Sequence, residues 1–300
     1  MSHRYAFLLF VLGATWGSSY LFIKVGVRDL SPAALVDLRL ACAAPVLVAF
    51  AWRRYGRTAL VRGWREGLVL AVVNAVVPFT LIAWGEKWVD SGTAAVANSS
   101  VPIFVALLAL FFVPSERSTG LRLVGVLLGL AGVVVLAGVH PQGGWHGTVG
   151  IVAIVLASVS YAAANLYAGR RMGVGGPVLA AVSMSGAFVL LLPFALATLP
   201  SHAPGWKSVG SAAALGLAGT AFAQILSYRM IRLYGSSRSV LVAYMLPAFA
   251  LFYGTVFLHE ALTLQKLGGL ALIGAGVALG SGAVRIASRR VRRAPARQPL

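Results

Sequence analysis

Acidic residues are almost absent from this chain: seven Asp and Glu in 300 positions, against 25 Lys and Arg. Cysteine is rarer still. Cys42 stands alone, which excludes an internal disulfide and any cysteine-based metal or redox centre. Charged residues amount to 11%, where a soluble domain carries roughly 25%. Hydrophobic residues make up 59%, and the mean hydropathy is +0.86. A soluble fold could not cover that much apolar surface without large exposed patches. Disorder is excluded by the same figures, because disordered chains are polar and charge-rich. A net charge of +18 would point to nucleic acid in a soluble chain, but beside a bilayer basic residues set orientation instead.

What the chain has in quantity is long, charge-poor apolar runs. A membrane-crossing helix needs about 20 mostly apolar residues. Ten windows qualify, at 6–26, 33–52, 67–85, 92–112, 120–139, 147–168, 177–199, 208–228, 236–258 and 265–284. The expected fold class is therefore an all-α integral membrane protein with ten transmembrane helices. Connections are short, so consecutive helices should run antiparallel, and nothing remains for a soluble domain. Residues 285–300, crowded with Arg and Pro, read as a basic tail. Arg4 followed by Tyr5–Leu12 has the look of a signal peptide, but the apolar run continues through Tyr20–Ile23. An uncleaved first helix is expected.

Orientation follows from the basic residues. Nineteen Lys and Arg fall on the side of the N-terminus, among them Arg53, Arg54, Arg57, Arg62 and Arg65 and six in the tail. Five fall on the other side: Lys24, Arg28, Lys87, Lys207 and Lys266. The positive-inside rule then puts both termini in the cytoplasm. Of the basic residues, Arg39 alone lies deep within a span, away from its ends.

The halves repeat at an offset of 144–145 residues. Pro32 falls on Pro177, Trp16 on Tyr161, Trp84 on Tyr228, Pro102 on Pro247, Glu116 on Glu260, Gly125 on Gly269 and Gly132 on Gly276. Each unit has an odd number of spans, so the second should insert upside down relative to the first. The units expected are a five-helix repeat over 1–139, an inverted copy over 147–284 and the cytoplasmic tail over 285–300. Inverted repeats around a midplane site are a recurring transporter architecture.

The segments TWGSSYLFIKVG closing span one and LRLACAAPVL in span two, with PSERST and LHEALT after spans four and nine, resemble the EamA family. That is the ten-helix branch of the drug/metabolite transporter superfamily. The resemblance runs over roughly residues 6–284 and recurs in both halves. It implies a secondary transporter of the cell inner membrane, favouring export, that moves a small organic metabolite such as an amino acid by alternating access. The alternatives are an uncoupled facilitator of small solutes and a membrane-embedded enzyme or scaffold.

Catalytic chemistry has little to work with. All five histidines lie in loops or at span ends, as do Asp29, Glu66, Glu86, Asp90, Glu116 and Glu260. Only Asp37 is a carboxylate well inside a span. No catalytic residue, metal site or cofactor is expected. The expected partners are a small-molecule substrate and the lipid bilayer, with no nucleic acid.

Arg39 is the most telling residue. It lies seven residues into span two from Pro32, hence ~10 Å down the helix. A guanidinium at that depth must be paired, solvated or functional. One reading is a site for an anionic group such as a substrate carboxylate; others are a snorkelling side chain or a pair with Glu86. The neutral residues Asn74, Thr80, Asn98, Asn165 and Gln224, with the aromatics Trp16, Tyr161 and Tyr244, are expected to line one substrate cavity, with Arg39 near its outer mouth. Pro102 and Pro247, a matched pair inside spans, are expected hinges. The Gly125xxxGly129 and Gly276xxxGly280 faces suit either intramolecular packing or a homodimer seam.

Overall fold

The structure, a computed structural model, describes residues 3–112, 121–137, 144–170, 175–235, 242–243 and 245–280. Among these every regular element is helical. The elements are α1 (His3–Gly26), α2 (Pro32–Tyr55), α3 (Arg57–Arg62), α4 (Trp64–Leu70), α5 (Val77–Gly85), α6 (Ser91–Asn98), α7 (Val101–Phe112), α8 (Leu121–Ala137), α9 (Gly144–Arg170), α10 (Gly176–Ala197), α11 (Trp206–Ala214), α12 (Ala223–Tyr234), α13 (Leu246–Leu258) and α14 (Leu264–Gly280). Two wider π-helical stretches, Ala71–Val76 and Leu215–Phe222, join α4 to α5 and α11 to α12.

Seven helical stretches are long and apolar enough to cross a membrane: His3–Gly26, Pro32–Tyr55, Trp64–Gly85, Ser91–Ala109, Gly144–Gly169, Gly176–Ala197 and Trp206–Tyr234. Three further apolar helices are shorter, Leu123–Leu136, Leu246–Leu258 and Leu264–Leu279. The chain is a multi-pass membrane protein. Its outward surface fits that solvent, with Phe10, Phe111, Val134 and Phe194 exposed, and Trp52, Trp64, Trp145 and Trp206 exposed at helix ends, where indoles favour the bilayer interface.

Local chemistry sets the breaks. Ser31 caps α2, its Oγ accepting from Ala34 N at 3.1 Å, and Pro32 takes the first turn, where no N–H partner is needed. Gly56 ends α2 at φ 79°, a backbone angle that glycine adopts without strain. The fourth apolar stretch is interrupted at Ser99–Ser100, whose hydroxyls donate to Val96 O and Ala97 O at 2.6 Å each. Pro102 therefore stands in the first turn of a new helix, α7, and Pro247 holds the same place in α13. Neither kinks a continuous helix; each follows a break.

Packing is between small faces. Helix α8 lies along α14, α2 along α10, α5 along α9, and α1 against α13 and α11. A Cβ on Gly276 would lie 2.6 Å from Gly125 O and Gly129 N, and one on Gly132 2.8 Å from Ile273. The glycine faces of α8 and α14 thus meet each other within the chain. In lipid, close approach of this kind replaces the hydrophobic drive that water supplies to soluble folds.

Candidate functional site

The site is built where α2, α5, the second π stretch and α9 meet. Arg39 on α2 is 7% exposed. Its Nε donates to Thr220 Oγ1 at 2.8 Å, and its guanidinium lies 3.8 Å from the centroid of the Phe79 ring. Phe79 in turn meets Tyr161 edge to face, ring centres 6.4 Å apart. The π turn explains Thr220: its hydroxyl donates to Leu215 O, five residues back, at 2.9 Å, leaving its lone pairs for Arg39. Gly216 allows the helices to touch, since a Cβ there would collide with Arg39 O. π turns carry a registry shift that lets a helix present such a group.

A second polar group adjoins the first. Asn98 Nδ2 donates to Tyr20 Oη at 2.8 Å, and Ser158 Oγ lies 3.1 Å from Asn98 Oδ1. Ser158 and Tyr161 are three apart on α9, so they share a helix face and tie the two groups together. Tyr161 and Tyr20 both lie within electrostatic range of Arg39.

Arg39 pairs with no carboxylate among the described residues, Glu86 included. Its terminal nitrogens make no protein hydrogen bond there either. Burying an uncompensated cation costs several kcal/mol, and the Phe79 face returns about 2 kcal/mol of it. The fork of N–H donors left open matches a carboxylate in shape and charge.

Of the residues singled out from the sequence, Arg39, Asn98 and Tyr161 fall in this cluster. Thr80 Oγ1 is buried without a hydrogen-bond partner among the described residues. Asn74, in the first π stretch, and Gln224, at the start of α12, are half-buried and make no protein hydrogen bond among the described residues. Trp16 packs elsewhere, in an apolar cluster with Leu12, Leu226 and Met230. Asn165 is exposed, and Tyr244 lies outside the described residues. Thr220, Phe79 and Ser158 are the members that sequence reasoning missed, and Tyr20, a mid-span aromatic, joins them from outside the expected lining. The acidic residues also differ from expectation: Glu86, read as a span-end residue, is fully buried.

Two stretches of the chain, residues 3–138 and 148–282, match the EamA-like transporter family. An "uncharacterized inner membrane transporter YedA" of Escherichia coli K12 is 30% identical over 88% of this chain and 85% of its own. An "uncharacterized transporter" of Archaeoglobus fulgidus is 27% identical over 87% of this chain and 93% of its own. A "probable amino-acid metabolite efflux pump" of Salmonella typhimurium is 27% identical over 92% of this chain and 94% of its own. A crystal structure at 20% identity superposes with a TM-score of 0.65, covering 94% of this chain and 97% of that one. That last likeness concerns the fold alone.

Proposed function

This chain belongs to the EamA-like transporter family, and from that premise we propose that it moves a small carboxylate-bearing metabolite, such as an amino acid, by alternating access. The proposed frame is a pair of inverted five-helix repeats over 1–139 and 147–284, set in the cytoplasmic membrane with both termini in the cytoplasm and export as the working direction. Several observations support the frame. The family matches twice, over stretches of similar length. The π stretches begin 144 residues apart, at Ala71 and Leu215, and a helix starts just before Pro102 and again just before Pro247. Helices equivalent at that offset also pack on each other, α2 on α10 and α8 on α14.

The observation that carries the substrate class is Arg39: a buried cation held by one neutral hydrogen bond and an aromatic face, with no carboxylate of its own among the described residues. A solute carboxylate supplies the missing charge, and Phe79 and Tyr161 offer apolar surface to its carbon skeleton. The name of the Salmonella relative agrees with an amino-acid cargo.

The test is thermal unfolding of the purified protein against amino acids and aromatic carboxylates, with the matching amines as controls. A ligand at 100 times its Kd adds about 2.7 kcal/mol of stability. The expected result is stabilisation by carboxylates, none by the amines, and loss of the effect in Arg39→Gln. Equal stabilisation of Arg39→Gln would remove Arg39 from the binding site.

A further inference from the structure

Glu86 follows α5 directly, in the turn to α6, and none of its surface is exposed. Both carboxyl oxygens are buried without a hydrogen-bond partner among the described residues. The charged groups around it are otherwise engaged. Lys24 on α1 aims its Nζ at backbone carbonyls, Glu86 O at 2.7 Å and Val89 O at 2.8 Å, rather than at the carboxyl group. Glu260, after α13, accepts from Ser91 N at 2.8 Å and Gly92 N at 3.0 Å, capping α6. Asp90 pairs with Lys266 of α14 at 2.7 Å. Tyr20 of α1 accepts from Asn98. On α9, which packs against α5, His146 stacks on Trp88 with ring centres 4.6 Å apart.

A carboxylate with no protein donor and none of its surface exposed is too costly to keep ionised, so in this arrangement the group holds a proton. Burial raises the Glu86 carboxyl well above the ordinary carboxylate range; Lys24 opposes the rise and Glu260 adds to it. The same end of the bundle carries several bonds that lace one half to the other. Asp29 accepts from Ser208 Oγ at 2.8 Å and Gly205 N at 3.1 Å, and the Ser31 and Thr198 hydroxyls lie 2.7 Å apart. Glu260 and the Asp90–Lys266 pair complete the lacing. An ionised Glu86 must draw in either Lys24 or water. Drawing in Lys24 releases α1 from the turn, and admitting water opens this end.

We infer that Glu86 is a proton-binding site whose loading seals this end of the bundle and whose release opens it, coupling the transport proposed above to a proton. The inference rests on that transport reading for its purpose, not for its chemistry. A proton from the aqueous phase adds to the carboxylate when the end seals and returns to water when it opens; no other covalent bond changes. The sealed arrangement binds the proton more tightly than an opened one, where the carboxyl meets water at the ordinary value of about 4.3. Raising the pH from there through the raised value therefore shifts the population toward the open form, by up to about tenfold per pH unit.

The reporter is Ser19→Cys, at a buried position with an unbonded hydroxyl, in a Cys42→Ser background reconstituted in vesicles. A membrane-impermeant maleimide is applied from the face away from the termini. The rate with native Glu86 is divided by that of Glu86→Gln at each pH, which cancels the thiol's own titration. The expected ratio is near one in acid and rises with pH, since glutamine stays neutral and sealed. A ratio that stays at one overturns the proposal. Should Glu86→Gln fail to insert, the infrared spectrum of the native protein at neutral pH decides instead. It should hold a protonated carboxyl band that disappears in alkali and moves in Glu86→Asp; absence of that band also overturns the proposal. A protein that exchanges no solute would still give the labelling ratio, so the two readings fail separately.

Discussion

Asp29 and Glu86 lie at the same end of the bundle and respond to pH in opposite senses. Asp29 sits between α1 and α2, where the Ser208 hydroxyl and the Gly205 amide hold its carboxyl below the usual carboxylate range. Its folded value is lower than its unfolded one, so its contribution is fully present above the ordinary value of about 3.9 and is lost as the pH falls through the lowered one. Thermal unfolding of the native protein below about pH 4 should show that loss, and Asp29→Asn should not; parallel curves would contradict the tie. Arg39 could be singled out from sequence because a charge within an apolar run stands out on its own. Its partner Thr220 could not be, being 181 residues away and chemically ordinary. Glu86 was hidden for a different reason. A residue just past a span reads as solvated, and only the packing of α1 and α9 against the end of α5 buries it.

At the scale of elements, apolar length and the offset between halves made the helical stretches legible, along with the prolines and glycines that punctuate them. The π stretches were not, since one extra residue per turn leaves no mark on composition. The glycine faces illustrate the difference. Sequence left open whether they pack within the chain; the α8–α14 contact occupies them. Gly276→Ala should cost about 1–3 kcal/mol of unfolding free energy through overpacking against Gly125 and Gly129. Gly274→Ala, whose Cβ would meet nothing within 4 Å, serves as the unhindered control and should lose no stability. Equal stability of the two variants would contradict the packing. The breaks before Pro102 and Pro247 make a related prediction. Replacing both prolines with alanine restores two N–H donors and favours continuous helices. Insertion should be unchanged and transport slower by about tenfold, equivalent to ~1.4 kcal/mol in the barrier; an unchanged rate would dismiss the hinges.

For the whole molecule, the described bonds that cross between the halves have a pattern. They lie at mid-depth, as with Arg39 to Thr220 and Ser158 to Asn98, or at the end away from the N-terminus, as with Asp29 to Ser208 and Glu260 to Ser91. A bundle laced at one end around a polar middle is the arrangement that alternating access requires of one of its two states. The central claim is that the chain carries a carboxylate-bearing solute across the membrane through Arg39. Counterflow in proteoliposomes tests it most directly. Vesicles preloaded with a pool of unlabelled amino acids and aromatic carboxylates are diluted into the same pool carrying label. The account predicts transient accumulation of labelled carboxylates in vesicles bearing the native protein, and none with Arg39→Gln. No accumulation with the native protein, or equal accumulation with Arg39→Gln, would contradict it.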